Sequence, residues 1–221
     1  MGFNIMADDY QIVFNEEKIL VRNIYCAGRN YVDHVNELNN ELPIEPFFFQ
    51  KSIPSLNIHN EVLIKDNVEI HHELEIVLLI GKNGIAKSAH HANSFIAGYT
   101  LGIDLTDRVY QESLKNKRLP WLLSKSFIGS AIVSKFEKSE ITEDFWLKIN
   151  GDEKQRGNKD LMIFKMQDLV YFLSNKIPLM KGDLIFTGTP HGVGPVNIGD
   201  TIEIGYGEKN LKTLIVKKTT N

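Results

Sequence analysis

Hydrophobic positions run unbroken from Ile76 to Ile80 within HHELEIVLLIG, residues 71 to 81. An apolar run with no alternation suits a strand covered on both faces. Just ahead of it stand Glu73 and Glu75, two positions apart. On a strand they project from the same face. Around this stretch the pattern predicts further strands. ILVRNIYCAG reads as a strand ending at Gly28, and GRNYVDHVNELNNELP turns into a short helix that stops before Pro43. EPFFFQKSIPS is an aromatic strand bounded by Pro46 and Pro54, with Phe47 to Phe49 expected in the core, and EVLIKDNVEI leads into the central strand. Ser88 opens a short helix whose His90 and His91 face solvent. GYTLGIDLTD, residues 98 to 107, reads as a second buried strand, and RVYQESLKNKR as a helix. In the last third FWLKINGDEKQRG predicts a hairpin turning at Asn150-Gly151, followed by a helix over 164–174. DLIFTGTPHGVGPVNIGDTIEIG then runs from a strand into a glycine-rich loop. Residues 1–18 carry little pattern and are expected to form a loosely packed edge. Many strands and turns with few short helices predict a mixed β-dominated α+β fold.

Composition narrows the class. A chain of 221 residues with 43% hydrophobic content can bury one sizeable core. The formal charge of −3 and the lack of a basic stripe offer no footprint for nucleic acid, so a small molecule is the expected partner. With Cys26 as its single cysteine the chain cannot form an internal disulfide. No apolar run is long enough to span a membrane, and the opening MGFNIMADDYQ lacks the basic and apolar regions of a signal peptide. The expected location is cytoplasmic.

The acidic residues bring in the chemistry. Two carboxylates held side by side repel each other unless a cation or proton lies between them. E-x-E by itself is more at home on a solvated strand, but the buried run behind it argues for a filled site. Asp104, inside the second apolar strand, needs a partner for the same reason. Glu73, Glu75 and Asp104 on neighbouring strands would hold one face of an octahedral Mg2+ or Mn2+. His34 and Glu37, three apart on the short helix, share a face, and a carboxylate beside an imidazole makes it a better proton acceptor. Arg108 and Gln111 are likewise three apart. Lys125, in LPWLLSKSFIGSA, stands in an otherwise small and apolar setting and is read as a surface lysine with a buried stem. The glycine-rich loop could offer N–H groups and the Thr189 hydroxyl to an anion. Without a GKST ending and a following helix it is not a phosphate-binding P-loop.

Taken in order, GRNYVDHVNE, HHELEIVLLIG, GYTLGIDLT with Gln111, LPWLLSKSF and FTGTPHGVGPV resemble the fumarylacetoacetate hydrolase family over residues 18 to 216, and most of all its small acylpyruvase and oxaloacetate decarboxylase-like members. The resemblance implies a curled mixed β-sheet fold with short helices, residues 1–17 being an N-terminal extension and 18–221 the catalytic domain. It implies a homodimer, with Mg2+ or Mn2+ on Glu73, Glu75 and Asp104. His34 and Glu37 would lie on a lid and activate water, with Lys125 as a further catalytic group. Arg29, Arg108, Gln111 and Thr189 match substrate-pocket positions. The implied reaction passes through a metal-chelated pyruvate enolate, in acylpyruvate C–C hydrolysis or oxaloacetate decarboxylation. Alternatives are oxaloacetate keto–enol tautomerisation, an isomerase or decarboxylase of aromatic catabolism, and a non-catalytic, metal-stabilised binding protein. One departure is Val109, where close relatives carry an acidic residue after the arginine; Asp107 stands before Arg108 instead.

Overall fold

The computed structural model describes residues 10–37 and 41–219, with the side chains of residues 34–36 outside that description. A hairpin of β1 (Gln11–Phe14) and β2 (Glu17–Leu20) comes first. The strands that follow are β3 (Ile24–Gly28), β4 (Phe47–Lys51), β5 (Leu56–Asn57), β6 (Glu61–Ile64), β7 (Ile70–His72), β8 (Leu74–Ile80) and β9 (Ile96–Asp104). After them come β10 (Thr106–Asp107), β11 (Ala131–Val133), β12 (Phe145–Ile149), β13 (Asp152–Gly157), β14 (Leu184–Phe186), β15 (Gly194–Pro195), β16 (Thr201–Tyr206) and β17 (Lys209–Lys218). Among the described residues a seven-stranded sheet runs β4-β3-β14-β8-β9-β11-β5, a five-stranded sheet β13-β12-β16-β17-β6, and a small one β10-β7-β15. Parallel and antiparallel pairings mix: β14 with β3, β11 with β5 and β17 with β6 are parallel. The helices are short: α1 (Val32–Glu37), α2 (Ala89–Ala92), α3 (Arg108–Asn116), α4 (Leu122–Lys125) and α5 (Met166–Lys176).

The long sheet has to curl. Its two edge strands, β4 and β5, are joined by residues 52–55 alone, a link that spans at most about 18 Å. Laid flat, seven strands at about 4.8 Å spacing would put those edges much farther apart. Curling brings β4 across from β9, four places away in the sheet, close enough for Lys51 to touch Asp104. At the centre, every residue of β8 is buried. Its alternate side chains feed two cores: Leu74, Ile76, Leu78 and Ile80 join the larger cluster, Val77 and Leu79 the smaller one inside the curl. Glu75 has the parity of Val77 and Leu79 and so faces inside the curl. Gly102, paired with Glu75, keeps that interior open, since a Cβ there would lie 2.5 Å from the Ile132 carbonyl oxygen and 2.7 Å from Val77.

Two local expectations change. Residues 10–20 are not a loose edge: β1 and β2 bury Ile12, Phe14 and Ile19 in the smaller cluster, because this hairpin caps one opening of the curl. The aromatic run also divides. Phe48 stacks on Phe172 of α5, whereas Phe47, 40% exposed, and Phe49 lean on Trp121 with ring centroids 5.2 and 5.8 Å away. The run is core only in part: Phe48 and Phe49 pack half-buried against the larger and the smaller cluster, and Phe47 at the start of β4 is exposed.

Candidate active site

Three elements bring the acidic residues together. Glu73 occupies the break between β7 and β8, where the chain leaves the small sheet for the long one, rather than the strand interior its spacing suggested. Glu75 follows on β8, and Asp104 ends β9 with its backbone N–H donated to the Glu73 carbonyl at 2.9 Å. The three residues are 7%, 2% and 0% exposed, and one carboxylate oxygen from each lies within 4.8 Å of the others. That convergence is what oxygen-only coordination of a hard divalent cation requires. The donor set fits such an ion, since among the described residues nothing soft or imidazole-based joins it.

Basic groups surround these acids. Arg108, at the start of α3, donates from Nη2 to Glu73 Oε1 at 2.6 Å, and Thr106 Oγ1 donates to the same oxygen at 3.1 Å. Lys125 Nζ donates to Glu73 Oε2 at 2.8 Å and to Asp104 Oδ2 at 2.7 Å. Lys51, completely buried at the end of β4, pairs with Asp104 Oδ1 and donates to the Leu105 carbonyl at 3.0 Å. Among the described residues, three carboxylates thus face three cations. The two lysines differ nonetheless. Burial works against the charge on both; at Lys125 the Asp104 and Glu73 carboxylates outweigh it and raise the pKa, while at Lys51 burial prevails over Asp104 and the pKa falls. Glu75 has no cation in contact among the described residues. Burial, then the charges of Asp104 and Glu73, push its carboxyl well above the ordinary range, opposed by the Gly188 N–H at 2.6 Å. Gly188 has φ +99°, and a Cβ on it would lie 2.7 Å from Asn30, so only glycine brings that N–H to the carboxylate.

A cavity of about 40 Å³ opens over the acids. At 10–15 Å³ per water it has room for about three waters. Glu73, Glu75 and Lys125 line it together with Arg29, Arg108, Gln111 and Thr189. Lys125 is therefore no surface lysine: it is 1% exposed, since α4 tucks it under the Phe49 ring, 4.9 Å away. The i,i+3 spacing on α3 has Arg108 Nη1 donating to Gln111 Oε1 at 2.6 Å. Arg29 takes φ +58°, and its buried Nε has no partner among the described residues. Val109 is 62% exposed and away from the cavity, while Asp107 caps α3 by accepting the Tyr110 N–H. Glu37, exposed on α1, accepts the Gly192 N–H at 3.0 Å, which ties α1 to the glycine-rich loop. The side chain of His34 falls outside the described residues, so its expected pairing with Glu37 is not among the contacts described.

Comparison with known proteins follows the same constellation. Residues 23–216 match the family described as fumarylacetoacetate (FAA) hydrolase C-terminal. The chain belongs to the fumarylacetoacetate hydrolase family. It is 41% identical over 191 residues to the mitochondrial oxaloacetate tautomerase FAHD1 of Mus musculus, covering 83% of this chain and 86% of that protein. It is 40% identical over 192 residues to the mitochondrial oxaloacetate decarboxylase of Dictyostelium discoideum, covering 83% and 88%. Among solved structures, fumarylpyruvate hydrolase from Pseudomonas aeruginosa in complex with Mn2+ and pyruvate superposes with a TM-score of 0.90 at 27% identity, over 99% of this chain and 100% of that one. The curled, β-dominated fold is thus the family fold, and the acidic cluster is a candidate divalent-metal site.

Three residues escape a reading of local pattern. Lys51 ends an aromatic strand in the manner of any solvated lysine. Gln155 sits in a charged hairpin. Asn30, fully buried, clamps the GRNY turn by donating to the Phe164 and Thr187 carbonyls and accepting the Phe164 N–H. No local signal marks Gln155, because the register slip that turns it inward is a cross-strand feature.

Proposed function

We propose that this protein is a divalent-cation-dependent enzyme of small 2-oxo and 2,4-dioxo acids that generates pyruvate enolate. Its reactions are C–C hydrolysis of acylpyruvates, decarboxylation of oxaloacetate, and keto–enol tautomerisation of oxaloacetate. The observation carrying this reading is three buried carboxylates converging within 4.8 Å beneath a small cavity lined by Lys125 and Arg108. Glu73, Glu75 and Asp104 would hold Mg2+ or Mn2+, which when bound would supply Lewis acidity toward the 2-oxo acid.

The chain's own groups do the rest. Arg108 and Thr189 bind the substrate carboxylate, with Gln111 orienting the Arg108 guanidinium. Lys125, held charged by its two carboxylates, stabilises negative charge developing on the substrate oxygen. In an acylpyruvate, His34 with Glu37 removes a proton from water as it adds to the distal carbonyl. The C3–C4 bond then breaks, its electrons pass to C3, and the acyl group leaves as a carboxylic acid. In oxaloacetate the same electrons reach C3 as CO2 departs, so no water has to add. Tautomerisation moves only a proton between oxygen and C3. Support for the branch comes from the names and identities of the two mitochondrial relatives. The homodimer is part of the same proposal, and sedimentation of the full chain checks it.

The test is pyruvate release from acetylpyruvate and from oxaloacetate by chelator-stripped protein, with and without Mg2+ or Mn2+, against no-enzyme blanks. Loss of enol absorbance from oxaloacetate is followed in parallel. Metal-dependent turnover of any one of the three supports the reading; none above blank overturns it.

A further inference from the structure

Gln155 lies outside the cavity yet 1% exposed, and its amide is fully engaged. It stands on β13, the edge of the five-stranded sheet, where the pairing with β12 slips so that Leu147 faces Gln155 and Lys148 faces Glu153. The extra residue, Lys154, bends the strand and turns Gln155 inward. Its Oε1 accepts the Leu74 backbone N–H at 2.9 Å and bonds His72 Nδ1 at 2.8 Å. Its Nε2 donates to the Pro190 carbonyl at 3.0 Å and to Thr189 Oγ1 at 2.8 Å. The amide cannot be turned over. Reversal would set Nε2 against the Leu74 N–H and Oε1 against the Pro190 carbonyl, and neither backbone group can exchange roles.

That fixed orientation has consequences on both sides. His72 must carry its proton on Nδ1, because Oε1 can only accept. Thr189 Oγ1, in turn, receives a hydrogen from Gln155, so the hydroxyl's own proton is released from this contact and is left for another acceptor. Thr189 is 3% exposed and lines the cavity over the acids.

We propose that Gln155 is a positioning residue that fixes the polarity of the Thr189 hydroxyl, making it a hydrogen-bond donor to a carboxylate oxygen of the ligand. The inference rests on the functional reading above and assigns Gln155 no contact with substrate. A threonine free to rotate could present a lone pair to the incoming carboxylate and repel it. One that accepts from Gln155 uses one of its two lone pairs there and cannot spend its proton on that contact, so the proton stays available to the ligand. The amide thus converts a neutral, ambivalent hydroxyl into an anion-recognising group.

Gln155→Glu keeps the shape and the Leu74 and His72 contacts but replaces the donor by an acceptor, so Thr189 must turn its proton toward position 155. The expected result is pyruvate affinity lowered about tenfold, measured by calorimetry at saturating Mn2+, the size of effect a hydrogen bond to a charged group carries. KM for oxaloacetate should rise by the same factor with kcat within about threefold, the signature of lost ground-state binding. Thr189→Val should show the same fold-change. The double variant should be no worse than Thr189→Val alone, because both changes remove one hydrogen bond. Thr189→Ser, which keeps the hydroxyl, should bind pyruvate as the parent does. Additive losses in the double variant would mean that the introduced carboxylate acts through its charge and would overturn the proposal, as would unchanged affinity in Gln155→Glu with an unchanged melting temperature. If Gln155→Glu melts early, Thr189→Val and Thr189→Ser decide alone: equal affinities in the two overturn the donor role. Failure of the parent protein to bind pyruvate with Mn2+ would instead sink the proposed function itself.

Discussion

The floor of the site and the helix above the glycine-rich loop are built on opposite principles. On the floor, Glu73, Glu75 and Asp104 are at most 7% exposed; Lys51, Lys125 and Arg108, the partners of Glu73 and Asp104, come from three other elements, and Glu75 meets the Gly188 N–H. Each charge there is held by groups that cannot retreat to water, so the geometry exists before any ligand arrives. By contrast α1 has six residues, and Glu37 at its end is exposed, joined to the loop through the Gly192 N–H. A single-turn helix draws its stability from tertiary contacts rather than from its own hydrogen bonds. The contrast matches the division of labour in the proposed mechanism: holding the enolate charge would fall to the buried floor, and delivering water and protons to the exposed α1.

The strongest way to break this division is to remove a floor acid. Asp104→Ala should abolish divalent-cation binding in calorimetry and all three reactions together. It leaves Lys51 and Lys125 short of a counter-charge in the interior, so denaturant unfolding should show a loss of about 3–5 kcal/mol. Full cation affinity in this variant would refute the three-carboxylate site.

A second test uses hydrolysis against decarboxylation. Glu37→Gln takes the carboxylate from the proposed base His34 and should lower acetylpyruvate hydrolysis about 10²-fold, the low end of what acid–base catalysis contributes, while leaving oxaloacetate decarboxylation within about threefold. Equal losses in both reactions would place α1 in charge stabilisation and dissolve the comparison. Because Glu37 is exposed, stability should move by no more than about 0.5 kcal/mol.

The smallest effect is one of pH. Glu75 has a folded-state pKa well above its ordinary value of 4.5, so the folded protein binds its proton more tightly than the unfolded chain does. Its contribution to stability is complete below pH 4.5 and is lost as pH rises through the raised value. Chelator-treated protein should therefore lose melting temperature over that window. Saturating Mn2+ should remove the slope, since the cation replaces the proton between the carboxylates. A slope unchanged by Mn2+ would show that the cation does not lie against Glu75.

Local sequence carried much of the architecture. The unbroken run of β8, the Asn150-Gly151 hairpin with φ +54° and +86°, and the Ser88 cap that accepts the His91 N–H all depend on neighbours a few residues away. So does the E-x-E spacing, which put two acids close together whether or not Glu73 belongs to the strand. Asp104 stood out as a carboxylate inside an apolar strand, and the motifs in their order were specific enough to indicate the family.

What the chain could not announce by itself were the groups whose roles depend on closure. Lys51 is buried because a four-residue link draws the two edges of a seven-stranded sheet together and sets β4 opposite β9. Lys125 is buried because α4 lies against that same strand β4, and Gln155 because a one-residue slip on a different sheet turns it inward. Periodicity reports which face of an element is apolar; it does not report which distant element covers that face. Residue types and spacings determined the acids, the turns and the strands of this protein, whereas the curl of the sheet decided which cations meet those acids, because that pairing is a long-range contact fixed only when the edges close.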